Sequence, residues 1–101
     1  MSVTAQMDQE AHKLTIAIEG RFDFSAHKEF RESYENLSDK PQSFSVDMAD
    51  ANYIDSSALG MLLLLRDHAG GDQAEVEIVN CSADVKKILT ISNFDQLFKI
   101  H

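Results

Sequence analysis

The stretch Asp55-Ser56-Ser57-Ala58-Leu59-Gly60 runs directly into Met61-Leu62-Leu63-Leu64-Leu65, and this junction decides how the rest of the chain is interpreted. An acid and two hydroxyls stand where a strand-like segment ending at Ile54 gives way to a strongly apolar one. Because Asp and Ser are favoured residues at helix starts, we predict a helix N-terminus here. A serine in that position can cap the helix, which contributes about 1 kcal/mol, or it can be presented to a partner.

The predicted helix runs from Ser57 to Ala69 and is apolar almost all round. That pattern indicates a helix packed deeply against a sheet or partly covered by a partner. Arg66 and His68 fall in its last turn, where cations suit the helix dipole, and Gly70-Gly71 ends it. The apolar run is heavier than core packing requires, so we expect part of it to contact a partner or a second copy.

Upstream of this helix, residues with a period of two predict strands. Leu14, Ile16 and Ile18 alternate with more polar neighbours over residues 13–19, which predicts a half-buried strand that Gly20 ends. A weaker alternation over residues 3–7 predicts an edge strand, joined to the first as a hairpin through residues 8–11. A third strand is predicted over residues 43–48, followed by a connection at 50–53.

Helical spacing predicts two further helices. Ser25 is the predicted N-cap of the first, which ends near residues 38–41, and Ser82 is the predicted N-cap of the other, which ends near Asn93. The apolar faces comprise Ala26, Phe30, Tyr34 and Leu37 in the first helix, and Val85, Ile88 and Leu89 in the other. Short strands are predicted at 76–79 and within 94–100.

The predicted order is therefore β β α β α β α β. Strands that alternate with helices favour parallel crossovers, so the fold class is α/β: a mixed, largely parallel sheet with helices packed on it as a sandwich. With 101 residues, of which 44% are hydrophobic, we expect one domain over residues 1–101.

The charge balance argues against nucleic acid as a partner. There are 9 Lys and Arg residues against 17 Asp and Glu, a net charge of −8, and no basic cluster exceeds Lys86-Lys87. Acidity favours solubility and a basic partner. The longest wholly apolar run, Met61 to Leu65, is far short of the roughly 20 residues that span a bilayer. We therefore predict a soluble, cytoplasmic protein without membrane insertion.

The sequence lacks the patterns of common catalytic and metal sites. It has no Gly-x-Ser-x-Gly elbow, no phosphate-binding glycine loop and no zinc-ligand spacing. The four histidines, at positions 12, 27, 68 and 101, are scattered and are interpreted as surface or cap residues. Cys81 is the only cysteine in the sequence, so an internal disulfide is excluded. We interpret it as a small apolar residue at a strand end. We predict neither an enzyme nor a cofactor.

Four polar residues leave alternatives open. Asp23 and Asp55 are either solvated turn residues or functional acids near helix starts. Ser56 and Ser57 are either caps or sites of modification. A phosphate there would add between −1.5 and −2 charges beside Asp55, which a helix N-terminus tolerates because its free amides and dipole favour anions. A docked acidic or apolar partner would not tolerate that charge.

Three segments together resemble a known family. They are Asp55 to Gly60 with the apolar run after it, Gly20-Arg21-Phe22-Asp23, and the closing Asn93-Phe94-Asp95-Gln96-Leu97-Phe98. Over essentially the whole chain they resemble the STAS domain of bacterial anti-sigma factor antagonists. The chain looks most like the small single-domain type used in partner-switching circuits that control motility, biofilm or stress programmes.

The resemblance implies a switch. Unphosphorylated, such a protein binds an anti-sigma factor or similar switch protein and frees its sequestered partner. A serine kinase of the histidine-kinase-like ATPase fold breaks the complex, and a PP2C-type phosphatase restores it. By motif position Ser56 is the phosphoacceptor, and Ser57 is the neighbouring cap and a second candidate. The implied docking residues are Asp23, Asp55, Ser56, Ser57, Ala58 and Leu59.

One departure and two rival functions accompany the resemblance. Many family members continue with a further C-terminal helix, whereas this sequence stops at His101, so contacts made through that helix are in doubt. The first rival is a structural STAS subunit of a larger complex such as a lipid-transport ATPase, and the second is a nucleotide-binding module. We expect a monomer or weak dimer; the sequence does not name the kinase, phosphatase or sigma factor.

Overall fold

A computed structural model describes residues 3–37 and 40–101 as a five-stranded sheet with three helices. The strands are Val3–Asp8 (β1), Lys13–Phe22 (β2), Ser43–Ile54 (β3), Val76–Val79 (β4) and Lys99–Ile100 (β5). The helices are His27–Glu35 (α1), Ser56–Ala69 (α2) and Ala83–Ile91 (α3), with short 3₁₀ helices at Phe24–Ala26, Gly71–Gln73 and Phe94–Gln96. This order of strands and α-helices confirms the predicted β β α β α β α β.

The strands lie side by side in chain order, from β1 to β5. The β1–β2 pair is an antiparallel hairpin, as predicted, and every later pair is parallel. Because right-handed crossovers that all step the same way place their helices on one face, α1, α2 and α3 cover a single side of the sheet. In β2 the side chains of Leu14, Ile16 and Ile18 are buried on that side, as their alternation predicted.

The two central strands are longer than predicted. Gly20 was expected to end β2, which is wrong: the strand continues to Phe22 because Gly20 adopts a φ of 79°, which glycine tolerates, and the register shifts after it. Residues 50–53, predicted as a connection, are also strand, since they pair with residues 19–21 of β2. As a result Phe22 lies opposite Ile54, and both strands end together.

The start of α1 also differs from the prediction. Ser25 is not its N-cap: Asp23 caps the 3₁₀ helix Phe24–Ala26, and α1 follows from Ala26 without a side-chain cap. Phe30 and Tyr34 are buried as predicted. The helix ends at Glu35, before the predicted 38–41, of which residues 38 and 39 lie outside the described residues.

The start of α3 confirms the prediction, since the Ser82 hydroxyl accepts a hydrogen bond of 3.2 Å from the Val85 amide. Val85 and Leu89 are buried, but Ile88 is 37% exposed, so its predicted inward position is wrong. The helix ends at Ile91, two residues before Asn93. No helix within residues 3–37 and 40–101 has both the length and the apolar character needed to span a membrane.

Candidate functional site

Two neighbouring corners of the sheet lie where β2 and β3 end. The first corner, Asp23-Phe24-Ser25, follows β2, and the second corner, Asp55-Ser56-Ser57, follows β3. Asp23 follows Phe22 and Asp55 follows Ile54, and the register pairs Phe22 with Ile54. Both acids therefore stand at the carboxyl edge of the parallel strands, each just before a helical segment. The sequence placed each acid near a strand end and a helix start, and the register brings the two acids together.

At the second corner, Asp55 is the N-cap of α2. It has an extended backbone, and its Oδ1 accepts hydrogen bonds from the Ala58 amide at 3.0 Å and from the Ser57 hydroxyl at 2.7 Å. These hydrogen bonds, that of Ser57 first, hold the pKa of Asp55 below its ordinary value. Asp55, and not either serine, is therefore the N-cap, and the Ser57 hydroxyl supports that cap by donating to Asp55.

Ser56 differs from Ser57 in having its hydroxyl free. It is the first residue of α2 and is exposed, and its hydroxyl makes none of the hydrogen bonds found among the described residues. Because Asp55 serves as the cap, Ser56 is not needed for that role. Its oxygen therefore faces solvent at the N-terminus of a 14-residue helix, where an enzyme or a binding protein can reach it.

The next two predicted docking residues have different surroundings. Ala58 is fully buried, so its side chain holds α2 against the sheet and is not available at the surface. Leu59 is partly buried and packs against the core. Further along the same helix Leu63 is 39% and Leu64 is 52% exposed, so the apolar run is only partly covered. That a partner or a second copy covers them stays a prediction.

At the first corner, Asp23 also accepts hydrogen bonds from an amide and a serine hydroxyl, and it has one further contact. Its Oδ1 accepts hydrogen bonds from the amide of Ser25, at 3.0 Å, and from the hydroxyl of Ser25. Its Oδ2 accepts one from the Arg21 Nε, at 3.2 Å. The bonds from Ser25, followed by that from Arg21, lower the pKa of Asp23.

Arg21, Tyr53 and Phe24 also lie at this edge, and none of them was assigned a role from the sequence. The Arg21 guanidinium lies 3.9 Å from the centre of the Tyr53 ring, on the neighbouring strand. Phe24 is 67% exposed and stacks on His27, with ring centres 5.0 Å apart. Nothing in a single sequence signals the contact with Tyr53, because it depends on the register of β2 and β3. Arg21 was visible within the motif Gly20-Arg21-Phe22-Asp23, but without a role.

The remaining candidate groups lie away from the two serines. His68 packs on the ring of Tyr34, and His101 has its Nε2 3.7 Å from Glu77 Oε1. Cys81 is partly buried against the core, and burial raises the pKa of its thiol. This confirms the interpretation of Cys81 as a packed residue near a strand end.

The family model of the STAS domain matches residues 4–101 of this chain. A STAS-domain containing protein of Pseudomonas aeruginosa (strain UCBPP-PA14) is 57% identical over 100 residues, which cover 99% of both sequences.

Solved structures with the same fold are more distant in sequence. The anti-sigma factor antagonist SpoIIAA in its unphosphorylated form has a TM-score of 0.75 at 15% identity, covering 98% of this chain and 86% of that one. The phosphorylated form of SpoIIAA from Bacillus has a TM-score of 0.73 at 15% identity, covering 98% and 90%. An anti-sigma factor antagonist from Mycobacterium paratuberculosis has a TM-score of 0.76 at 13% identity, covering 99% and 86%. These matches confirm the predicted fold.

Proposed function

We propose, from the fact that this chain belongs to the STAS domain family, that it is a non-enzymatic anti-sigma factor antagonist of a partner-switching pathway. Unphosphorylated, it binds an anti-sigma factor or similar switch protein and releases the partner held by that protein. Phosphorylation of Ser56 blocks the binding. The protein acts in the cytoplasm, in a programme such as motility, biofilm formation or stress.

The observation that carries this proposal is the free hydroxyl of Ser56. The two serines after Asp55 are chemically alike, yet only Ser57 donates to the acid. The exposed Ser56 can therefore be modified without loss of the N-cap. The free hydroxyl favours Ser56 over Ser57 as the proposed phosphoacceptor, and it supports the assignment by motif position.

A phosphate at Ser56 changes the surface more than the fold. It adds between −1.5 and −2 charges at the first residue of α2, where the helix dipole favours an anion. The helix therefore keeps its structure, while a partner docked on the same place meets a charged, strongly hydrated group. The expected result is loss of the complex with the domain still folded.

The proposed enzymes of the cycle are a serine kinase of the histidine-kinase-like ATPase fold and a PP2C-type phosphatase. The test incubates this chain with its cognate serine kinase of that fold and ATP, and maps the product by mass spectrometry. We expect phosphate on Ser56 in the native protein and none on Ser56→Ala. Phosphate on neither Ser56 nor Ser57 would contradict the proposal.

Binding to the same ATPase-fold protein gives a second test. We expect Ser56→Asp to weaken binding in calorimetry and Ser56→Ala to preserve it. A complex insensitive to Ser56→Asp, recovered unmodified from cells, would favour the structural-subunit rival. Heat released on titration with GTP or ATP alone would favour the nucleotide-binding rival.

A further inference from the structure

Arg21 is a cation that contacts the first corner and the end of β3, the strand that leads into the second corner. Its Nε donates to Asp23, and its guanidinium lies on the ring of Tyr53. The side chain is 62% exposed, so it is free to change partners. The contact with Asp23 uses one of the five N–H donors of the guanidinium, which leaves donors for a second acceptor.

The other two arginines of the chain are paired elsewhere. On the surface of α1, the Arg31 Nε lies 3.7 Å from the Glu35 Oε2. In the last turn of α2, the Arg66 Nη2 lies 3.0 Å from the Oδ1 of Asp72, a residue that follows the helix. Arg21 is thus the arginine placed at the edge that carries Asp23, Asp55 and Ser56.

The two acids at this edge already interact, since the charge of Asp23 acts to raise the pKa of Asp55. A phosphate on Ser56 would be bonded to the residue next to Asp55 and would add up to two further negative charges. Three anionic groups would then share one nearby guanidinium. Arginine binds a phosphate in a bidentate manner, and a doubly charged acceptor competes well with a single carboxylate.

We propose that Arg21 detects the phosphorylation of Ser56, by moving its guanidinium from Asp23 to the phosphate while Tyr53 keeps it at this edge of the sheet. The inference rests on the proposed function, which makes Ser56 the phosphoacceptor. Its consequence is that Asp23 loses its ion pair when Ser56 is modified. The change at α2 is thereby transmitted to the corner that carries the exposed Phe24.

The test needs the modified chain alone. Phosphoserine is placed at position 56 by genetic encoding, and its ³¹P resonance is titrated with pH. Because a nearby cation stabilises the dianion, we expect the phosphate to bind its proton about threefold more weakly with Arg21 present than in Arg21→Gln. Arg21→Lys, which keeps the charge without the planar donors, should lie between the two.

Arg31→Gln is the matched control, because it removes an equal charge from a half-exposed site on α1. It should leave the titration unchanged. The proposal would be overturned if the phosphate titrated alike with and without Arg21. It would also be overturned if Arg21→Gln and Arg31→Gln shifted the titration of the phosphate equally. In the native protein the ¹⁵N resonance of Arg21 Nε should also move between serine and phosphoserine; an unmoved resonance would count against a change of partner.

These measurements separate the two proposals. A phosphorylated chain that still binds the switch protein would sink the proposed function, yet it would leave the Arg21 contact as measured. A titration insensitive to Arg21, with binding still lost on phosphorylation, would sink this inference alone. Circular dichroism of each variant verifies that the fold is retained.

Discussion

The corner formed by Asp23-Phe24-Ser25 and the one formed by Asp55-Ser56-Ser57 share an arrangement: an extended acid accepts a hydrogen bond from the hydroxyl two residues later. They differ in their middle residue and in the helical segment that each begins. The first leads into a single 3₁₀ turn, and the second into the 14-residue α2. The acid and the last serine thus form the corner, which leaves the side chain of the middle residue exposed to solvent.

The strand ends beneath the corners give the largest expected effect. Phe22 is fully buried and Phe24 is 67% exposed, although only Asp23 separates them. Phe22→Ala should lower the free energy of unfolding by about 3–5 kcal/mol through a core cavity. Phe24→Ala, the matched control, should change it by no more than about 0.5 kcal/mol. Urea denaturation measures both, and similar losses would show that the corner is not supported as described.

Removal of each acid compares the corners directly. Asp55→Ala should destabilise the protein more than Asp23→Ala, and less than Phe22→Ala, because Asp55 caps a long helix packed on the core. Asp23 caps only a single turn. Thermal unfolding of both variants provides the measurement. A greater loss for Asp23→Ala would mean that its ion pair with Arg21 outweighs the helix cap.

The two serines of the second corner allow a finer comparison. Ser57→Ala should cost about 1 kcal/mol, because it removes the hydroxyl that donates to Asp55. Ser56→Ala should lie within about 0.5 kcal/mol of the native protein. Urea denaturation of the pair decides it. If Ser56→Ala were the costlier change, the hydroxyl of Ser56 would have a structural role and would not be free for modification.

The pH dependence should be the smallest effect. Both acids have a pKa below the ordinary 3.8 in the folded protein. As the pH falls to about 4 and below, these carboxylates therefore bind protons in the unfolded chain before they do so in the folded protein. Stability from these carboxylates is therefore complete above that range and is lost as the pH falls through the folded-state values. When the pH is lowered from 6 to 3, the double variant Asp23→Asn, Asp55→Asn should lose less stability than the native protein. Parallel curves in thermal unfolding would contradict this.

The regular parts of the fold were predictable because their signals are local. The alternation of Leu14, Ile16 and Ile18 identifies β2, and the cap at Ser82 identifies α3. The strand ends were misjudged because pairing overrides local preference there. Gly20 would end an isolated strand, but within the sheet it supplies a positive φ at a register shift, and β3 holds the chain extended beyond it.

For the candidate site, the sequence predicted which residues lie there better than it predicted the contacts between them. Asp55 and Ser56 follow from the junction at the start of α2. Which of the two hydroxyls donates to Asp55 does not follow from the junction, because either could reach the acid in an unfolded chain. The contact of Arg21 with Tyr53 depends on which residues of β2 and β3 face each other, and that register is shifted after Gly20 in a way that alternation does not reveal.

The identity of strand order and chain order has a consequence for how the molecule is made. Each strand pairs with the one synthesised just before it, so no segment has to wait for a distant portion of the chain. The β1–β2 hairpin can form as soon as it leaves the ribosome, and later units add to its exposed edge one at a time. Because each new strand adds to the edge left by the one before it, we expect vectorial growth that starts from the N-terminal hairpin.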